Sequence, residues 1–272
     1  MSPATTVPLN IPGLDVPLSL QVHGQRDRVI SERLRREGVW EPYETQLVLN
    51  LLEPGGVFVD VGANLGYFSI LAAACVGEQG RVYAFEPDPD NFALLQANSE
   101  TNGFGQRICA VNAALAERDG SGRLYLSEDN LGDHQLFDVD GERATREIRM
   151  LQGGAFLTAE SVSQISLLKV DTQGSEFAVM AGMLPFLRAQ PQPTQILIEL
   201  TPLSLRQAGA SGRALIGSLE TLGEPFWIVD HIEHRLVATP AADLARWCDN
   251  VDATPGDQGF MNILVGQGLD SE

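Results

Sequence analysis

Asp60 and Glu86 are the residues of this chain best placed to do chemistry. Asp60 closes the apolar run Val57-Phe58-Val59 and stands two positions before Gly62, in Asp60-Val61-Gly62-Ala63-Asn64-Leu65-Gly66-Tyr67-Phe68-Ser69. Glu86 closes a second run, Arg81-Val82-Tyr83-Ala84-Phe85, 26 positions after Asp60. A buried strand, a glycine turn, a helix start and a further strand ending in an acid form a nucleoside-binding half of a doubly wound α/β domain.

The glycine spacing selects among nucleosides. A dinucleotide site needs G-x-G-x-x-G, so that backbone and helix N-terminus can close on a pyrophosphate. Here Gly62 and Gly66 stand four apart with no third glycine, which disfavours a nicotinamide-dependent oxidoreductase. The carboxylate of Asp60 would oppose a pyrophosphate and suits a cation. S-adenosylmethionine carries a positive amino group, a positive sulfonium and no phosphate, and Glu86 would accept hydrogen bonds from its ribose hydroxyls.

The elements that must hold these residues follow from the pattern of apolar residues. Residues 1–30 read as an extended lead-in with a short strand or hairpin (Val16, Leu18, Leu20, Val22 alternate). Helices are expected over Ile30–Arg36 and Glu41–Leu52, the latter stopped by Pro54-Gly55. Strands are expected at Val57–Val61, Arg81–Phe85 and Arg107–Val111, with helices Tyr67–Cys75 and Asn91–Glu100 between them. A polar stretch from Glu117 to Arg149, with a short alternating piece at Gly122–Ser127, interrupts the alternation as an insertion near the active face. The pattern resumes with strand Leu167–Val170, helix Ser175–Arg188, strand Gln195–Leu200, one helix from about Leu203 to Leu222, strands Phe226–Val229 and Gly259–Val265, and a helical Asp243–Trp247. Seven main strands with intervening helices give an α/β fold with an open, mostly parallel sheet. Residues 1–45 are read as an N-terminal cap and 46–272 as the enzymatic domain, with the insertion at about 117–150.

Composition narrows the class. At 272 residues and 44% hydrophobic content the chain can bury a full core. Its longest apolar runs, about ten residues, are half a membrane span, and the N-terminus lacks a signal-peptide pattern. Cys75, Cys109 and Cys248 are scattered and form no C-x-x-C, so they read as reduced core residues and point to the cytoplasm. The formal net charge of −18 repels phosphate backbones and anionic lipid, which argues against nucleic-acid and membrane partners and leaves a small-molecule substrate. Oligomeric state is not legible, and a homodimer stays open. Arg26, Arg28, Arg33, Arg35 and Arg36 are a local exception, read as a solvated helix face or as a docking patch.

Phe58-Val59-Asp60-Val61-Gly62-Ala63-Asn64-Leu65-Gly66-Tyr67-Phe68-Ser69, Ala84-Phe85-Glu86-Pro87, Asn112-Ala113-Ala114-Leu115 and Leu168-Lys169-Val170-Asp171-Thr172-Gln173-Gly174-Ser175-Glu176 together resemble the FkbM family of class I S-adenosylmethionine-dependent methyltransferases. The likeness runs from about Trp40 to Val265. It implies a Rossmann-like sheet of seven strands with an antiparallel last strand, helices on both faces, and O-methylation of sugars, polyketides and other natural products. Carried over, Asp60, Gly62, Asn64 and Gly66 would hold the methionine end of the cofactor, above Tyr67 and Phe68. Glu86 would bind the ribose, Pro87 would flank the adenine and Asn112-Ala113 would meet its edge. Asp171 would end the fourth strand at the ligand crevice, and Tyr43 would close over the cofactor from the cap.

Methylating an alcohol requires a base. His134, in Gly132-Asp133-His134, is the first candidate, because imidazole titrates near neutral pH. Asp171, kept ionised by Lys169, is the second. Lys169 could instead pair with Glu199 or Glu176. Glu199, in an otherwise apolar strand, is expected to line the substrate pocket. His231 and His234 fall in a turn and hairpin without a third ligand at familiar spacing, so a divalent metal is not favoured. Asp171 and Glu199 would suit a hard cation better. N-methylation and a non-catalytic methyltransferase-fold protein are the alternatives. The chain departs from the family in Thr172-Gln173-Gly174, where many relatives have an acid before the glycine, and at Met150–Leu157, where relatives often have a strand leading into Leu-Asp.

Overall fold

The apolar runs become strands, and the chain order is that of an α/β domain. The computed structural model describes residues 4–24, 27–138 and 141–269. In sequence the elements are β1 (Thr5–Pro8), β2 (Ser19–Val22), α1 (Ile30–Glu37), α2 (Pro42–Leu51), β3 (Val57–Val61), α3 (Tyr67–Val76), β4 (Arg81–Phe85), α4 (Pro89–Thr101) and β5 (Ile108–Val111). After β6 (Ala114–Ala116), the insertion contributes β7 (Gly120–Tyr125) and most of β8 (Thr145–Gln152). Then follow α5 (Gly153–Ala159), β9 (Leu167–Val170), α6 (Glu176–Arg188), β10 (Gln195–Leu200), α7 (Pro202–Gln207), α8 (Gly212–Glu220), β11 (Phe226–Asp230), β12 (Arg235–Ala238), α9 (Ala241–Ala253) and β13 (Met261–Val265).

Among the described residues the main sheet has eight strands in the order β12-β11-β13-β10-β9-β3-β4-β5. β5, β4, β3, β9 and β10 run parallel, and β13 lies antiparallel between β10 and β11. The expected seven strands are there with their antiparallel last member, and β12 adds an eighth at the edge by folding back on β11. Successive residues of the inner strands feed opposite cores. Val59 and Val61 pack with α6, whereas Phe58 packs with α2 and α3. The chain leaves β3 toward β4 and β5, then returns on the other side of β3 as β9. That reversal makes a crevice beyond the C-terminal ends of β3 and β9, where ligands bind in open α/β sheets.

The β1–β2 hairpin is fixed to α4 by two asparagines one helical turn apart. Asn98 accepts from Gln21 N at 2.6 Å and donates to Gln21 O at 3.0 Å, and Asn102 makes the same pair of bonds with Ser19 at 3.0 and 2.8 Å. Each amide therefore replaces one rung of a strand ladder.

One expectation fails for a local reason. The single helix over 203–222 is two, because Gly209 takes φ +84° and Ser211 caps the second helix by accepting from Ala214 N at 3.1 Å. At residues 150–157, where the chain departs from the family pattern, a strand gives way to a helix. β8 stops at Gln152, whose side chain caps α5 by accepting from Ala155 N. Gly153 and Gly154 then let α5 close on α6, since a Cβ on Gly154 would stand 3.0 Å from Gly182 O. β7 and β8 of the insertion join β6 in a small sheet ordered β6-β8-β7.

Candidate active site

The turn after β3 is shaped by contact with the end of β9. Gly62 has φ +87°, and a Cβ there would stand 1.9 Å from Asp171 O. Both the conformation and the space require glycine. Gly62→Ala is expected to cost about 3 kcal/mol or more, from a left-handed non-glycine residue together with an overpacked crevice. A fall in Tm of roughly 6–12 °C in a thermal melt would register it. Gly62 N and Ala63 N both donate to Phe85 O at 3.0 Å, which joins the turn to the end of β4.

Asp60 is buried in β3 and accepts from Ser69 Oγ at 2.6 Å. Burial raises its pKa, opposed by nearby Lys169. Glu86 is buried just beyond β4. Its two oxygens accept from Asn64 N at 2.7 Å and Asp88 N at 2.8 Å, and burial pushes its carboxyl up to about 8 against those two donors. Asn112 donates to the carbonyls of Glu86 and Pro87, at 2.8 and 3.0 Å, so it shapes the exit of β4. Ala113 is packed in the core. Gly66 lies against Leu95, the Tyr67 hydroxyl meets Thr45 Oγ1 at 2.9 Å, and Phe68 packs edge-on to Tyr67.

Gly62, Asn64, Glu86, Pro87, Asp171 and His134 line one cavity, and none of its lining residues is a lysine or arginine. The insertion roofs it. Leu131 O accepts from Asn64 Nδ2 and Asn91 Nδ2, both at 3.1 Å, and His134 Nδ1 accepts from Ser127 N at 3.0 Å. With this roof down the cavity holds about 50 Å³, room for a few waters and far below the roughly 300–1,000 Å³ of a small-molecule site. The donor set suits a cationic, phosphate-free nucleoside with a free diol, and the roof must shift to admit it.

On the other side of Asp171 lies a cluster of acids around one lysine. Lys169 is buried in β9, with Nζ 2.9 Å from Asp171 Oδ2, 3.7 Å from Glu44 Oε1 and 4.6 Å from the centre of the Phe68 ring. Burial alone would lower its pKa, but Asp171, Glu44, Asp60 and Glu41 outweigh that and hold it above the ordinary lysine value. The expected partners Glu199 and Glu176 are engaged elsewhere. Glu199 accepts from Gln173 Nε2 at 2.9 Å, and Glu176 takes the N–H groups of Thr172 and Gly174 at 3.0 Å. Burial raises Glu199 and Glu41 well above the usual carboxylate range, and raises Glu44 as well. Glu44 also accepts from Asn262 Nδ2, which lies 3.3 Å from His231 Nε2. Tyr43 stacks on His234, with ring centres 5.5 Å apart, and borders this acid cluster rather than the cavity.

Glu41, Glu44 and Asn262 went unnoticed in the sequence, and no local signal marks them, since they meet Lys169 only through the tertiary fold. Among the described residues no three His, Cys, Asp or Glu side chains converge as metal ligands, and no helix is long and apolar enough to cross a membrane. Three of the five arginines make local contacts. Arg33 and Arg36 both grip Glu37, and Arg35 donates to the carbonyls of His23 and Gly24. Arg26 lies outside the described residues.

Comparison with known proteins decides among the cofactors that such a crevice could serve. Residues 60–226 match the methyltransferase FkbM domain. The chain belongs to the FkbM methyltransferase family. The FkbM domain is an S-adenosylmethionine-dependent methyltransferase domain, in keeping with the cation-suited lining of the cavity. A curated relative from Streptomyces tacrolimicus, the 31-O-demethyl-FK506 methyltransferase FkbM, is 31% identical over 163 residues, 48% of this chain and 61% of that one. The hexuronic acid methyltransferase AglP of Haloferax volcanii is 27% identical over 51% of this chain and 54% of that one. The chain thus spans less than two thirds of the length of these relatives. The solved FkbM methyltransferase of Methylobacillus flagellatus is 14% identical, covering 79% of this chain and 44% of that chain, with a TM-score of 0.44.

Proposed function

We propose that this FkbM-family protein is a cytoplasmic O-methyltransferase acting on a hydroxyl of a small metabolite, such as a sugar, polyketide or other natural product. The observation that carries the reading is the glycine turn with Asp60 behind it, flanked by Glu86 on one neighbouring strand and Asp171 on the other. Relatives named as methyltransferases of 31-O-demethyl-FK506 and of hexuronic acid support the acceptor class. The cap at residues 1–45 and the insertion at about 117–150 would carry specificity.

When bound, S-adenosylmethionine would supply a methyl group on a positive sulfonium to the acceptor oxygen, leaving as a neutral thioether. Asp60, Gly62, Asn64 and Gly66 would hold its methionine end, and Glu86 its ribose. Aligning the two reactants is worth roughly 7–11 kcal/mol of barrier. Asp171 would act as the base, taking the hydroxyl proton as the acceptor oxygen attacks the methyl group. Lys169 Nζ donates to one of its oxygens at 2.9 Å, and Gln173 Nε2 donates to the other at 3.1 Å. His134 suits a different task. Its Nδ1 accepts the Ser127 N–H, so the neutral ring carries its proton on Nε2 and can donate there but not accept.

Titration calorimetry with S-adenosylhomocysteine tests the cofactor half. Binding should vanish in Asp60→Ala and in Glu86→Ala, and absence of binding to the natural protein would overturn the proposal. The pH dependence is a sharper check. With its folded pKa raised to about 8 from 4.5, Glu86 contributes stability that is present below pH 4.5 and lost as pH rises to 8. Ribose hydroxyls donating to Glu86 favour its ionised form. Affinity should therefore rise with pH up to 8, by up to about tenfold per unit, and then level off. Glu86→Gln should flatten the slope.

A further inference from the structure

The roof over the cofactor cavity has a second hollow on its other side. A cavity of about 460 Å³ lies between α4, the end of β2 and the insertion, within the roughly 300–1,000 Å³ of small-molecule sites. None of Asp60, Gly62, Glu86 and Asp171 lines it. Leu131 and His134 line it as well as the cofactor cavity, so the roof is one wall with a space on each side. Its floor is apolar. Ala93, Leu94 and Ala97 share one face of α4, and Leu126 joins them from the insertion.

The polar groups of this cavity offer acceptors. Arg146 is its one lysine or arginine among the described residues, and it is committed twice. Its Nη1 meets Asp88 Oδ2 at 2.9 Å and its Nη2 meets Asp90 Oδ2 at 2.8 Å. Asp88 Oδ1 is taken as well, by the N–H groups of Asp90 and Asn91, both at 3.0 Å. Asp90 Oδ1 accepts from none of the described residues, and the Asp90 side chain is 39% exposed. Two carboxylates against one guanidinium leave one negative charge in excess. His23 adds a further acceptor. Asn91 Nδ2 donates to Leu131 O, so Asn91 Oδ1 is the acceptor in its 2.7 Å bond with His23 Nε2. The neutral His23 ring then carries its proton on Nε2 and keeps a lone pair on Nδ1.

We propose that this outer cavity is a second binding site, which takes an organic ammonium compound with an apolar body, and that its ligand opposes the cofactor. The ammonium group lies at Asp90, with His23 as a further acceptor, and the apolar body lies on the α4 face. An anion meets the uncompensated carboxylate and is refused. The opposition comes from the shared wall. The cofactor cavity holds only about 50 Å³ with the roof down, and lifting the roof drives Leu131 and His134 into the outer cavity. A ligand already there resists that movement, and by linkage a bound cofactor weakens the ligand by the same factor.

The test titrates the full chain with two probes that share one apolar body, tryptamine and indole-3-propionate, followed by saturation-transfer NMR. Tryptamine should bind roughly tenfold tighter, because the acid that attracts one probe repels the other. Asp90→Asn should cut tryptamine affinity by about fivefold, the upper reach of a partly exposed ion pair, and leaves the pair between Asp88 and Arg146 in place. Ala93→Trp should cut it by at least as much by filling the floor. Ala93 is exposed and Asp90 half-buried, so both variants should keep the natural melting temperature. Calorimetry with S-adenosylhomocysteine reads the opposition. Its affinity should fall about fivefold as tryptamine is added and then level off once the outer cavity is full. The site is overturned if tryptamine does not bind, if indole-3-propionate binds as well, or if either variant binds tryptamine as the natural chain does. A fall in S-adenosylhomocysteine affinity that never levels off would put tryptamine in the cofactor cavity and overturn the site too. An unchanged affinity would overturn the opposition.

Discussion

Lys169→Met should lower folding stability by about 3–5 kcal/mol at pH 8, the usual cost of removing one partner from a buried ionic group. For a chain of this size that is a fall in Tm of roughly 6–20 °C. Methionine fills a similar volume, so the loss would come from charge. Asp171 at 2.9 Å and Glu44 at 3.7 Å would lose their cation, and Asp60 and Glu41 its field. The sign of the pH dependence follows. Without the lysine the buried carboxyls of Glu44, Asp60 and Glu41 rise further in pKa, and a carboxyl with a raised folded pKa loses stability as pH rises through it. The gap between variant and natural protein should therefore be wide at pH 8 and narrow at pH 5. Equal melting temperatures at pH 8 would mean that the acids shed their charge without help, and that the lysine is there for another reason.

Asp171→Asn should slow methyl transfer by roughly 10²–10⁴-fold, the contribution of a positioned base. Asparagine keeps the shape and can still accept from Lys169 or Gln173, so S-adenosylhomocysteine affinity should stay within about threefold. His134→Ala serves as the comparison, measured by radiolabelled methyl transfer to whichever hydroxyl acceptor the natural protein turns over. It should change KM more than kcat, because a ring that donates from Nε2 can orient but not deprotonate. A full rate in Asp171→Asn beside a dead His134→Ala would exchange the two roles.

Where each strand carried its own signal, the sequence was sufficient. β3, β4, β9 and β10 were legible to the residue, because a short apolar run bounded by turns is a local property. So were the glycine turn and Glu86. The break between α7 and α8 was also written locally, in Gly209 and Ser211, and was hidden by the longer apolar period running through it. The acid cluster was a different case. Glu44 and Asn262 lie 218 positions apart and Glu41 reads as an ordinary helix start, so nothing short of the fold brings them to Lys169. Lys169 announced itself as a charge in an apolar strand, but which carboxylate would claim it depended on the rotamers of four competitors.

The carbonyl of Leu131, clipped by the amides of both Asn64 and Asn91, carries a kinetic consequence. Two such bonds, each worth about 0.5–1.5 kcal/mol, put the raised-roof conformer at roughly 1–15% of the population. Cofactor would then be admitted at the tempo of the loop and not of diffusion, and spent cofactor would wait on the same clock to depart. An enzyme built this way exchanges slowly, holds what it has captured, and has its turnover ceiling set by two asparagines that take no part in making or breaking a bond.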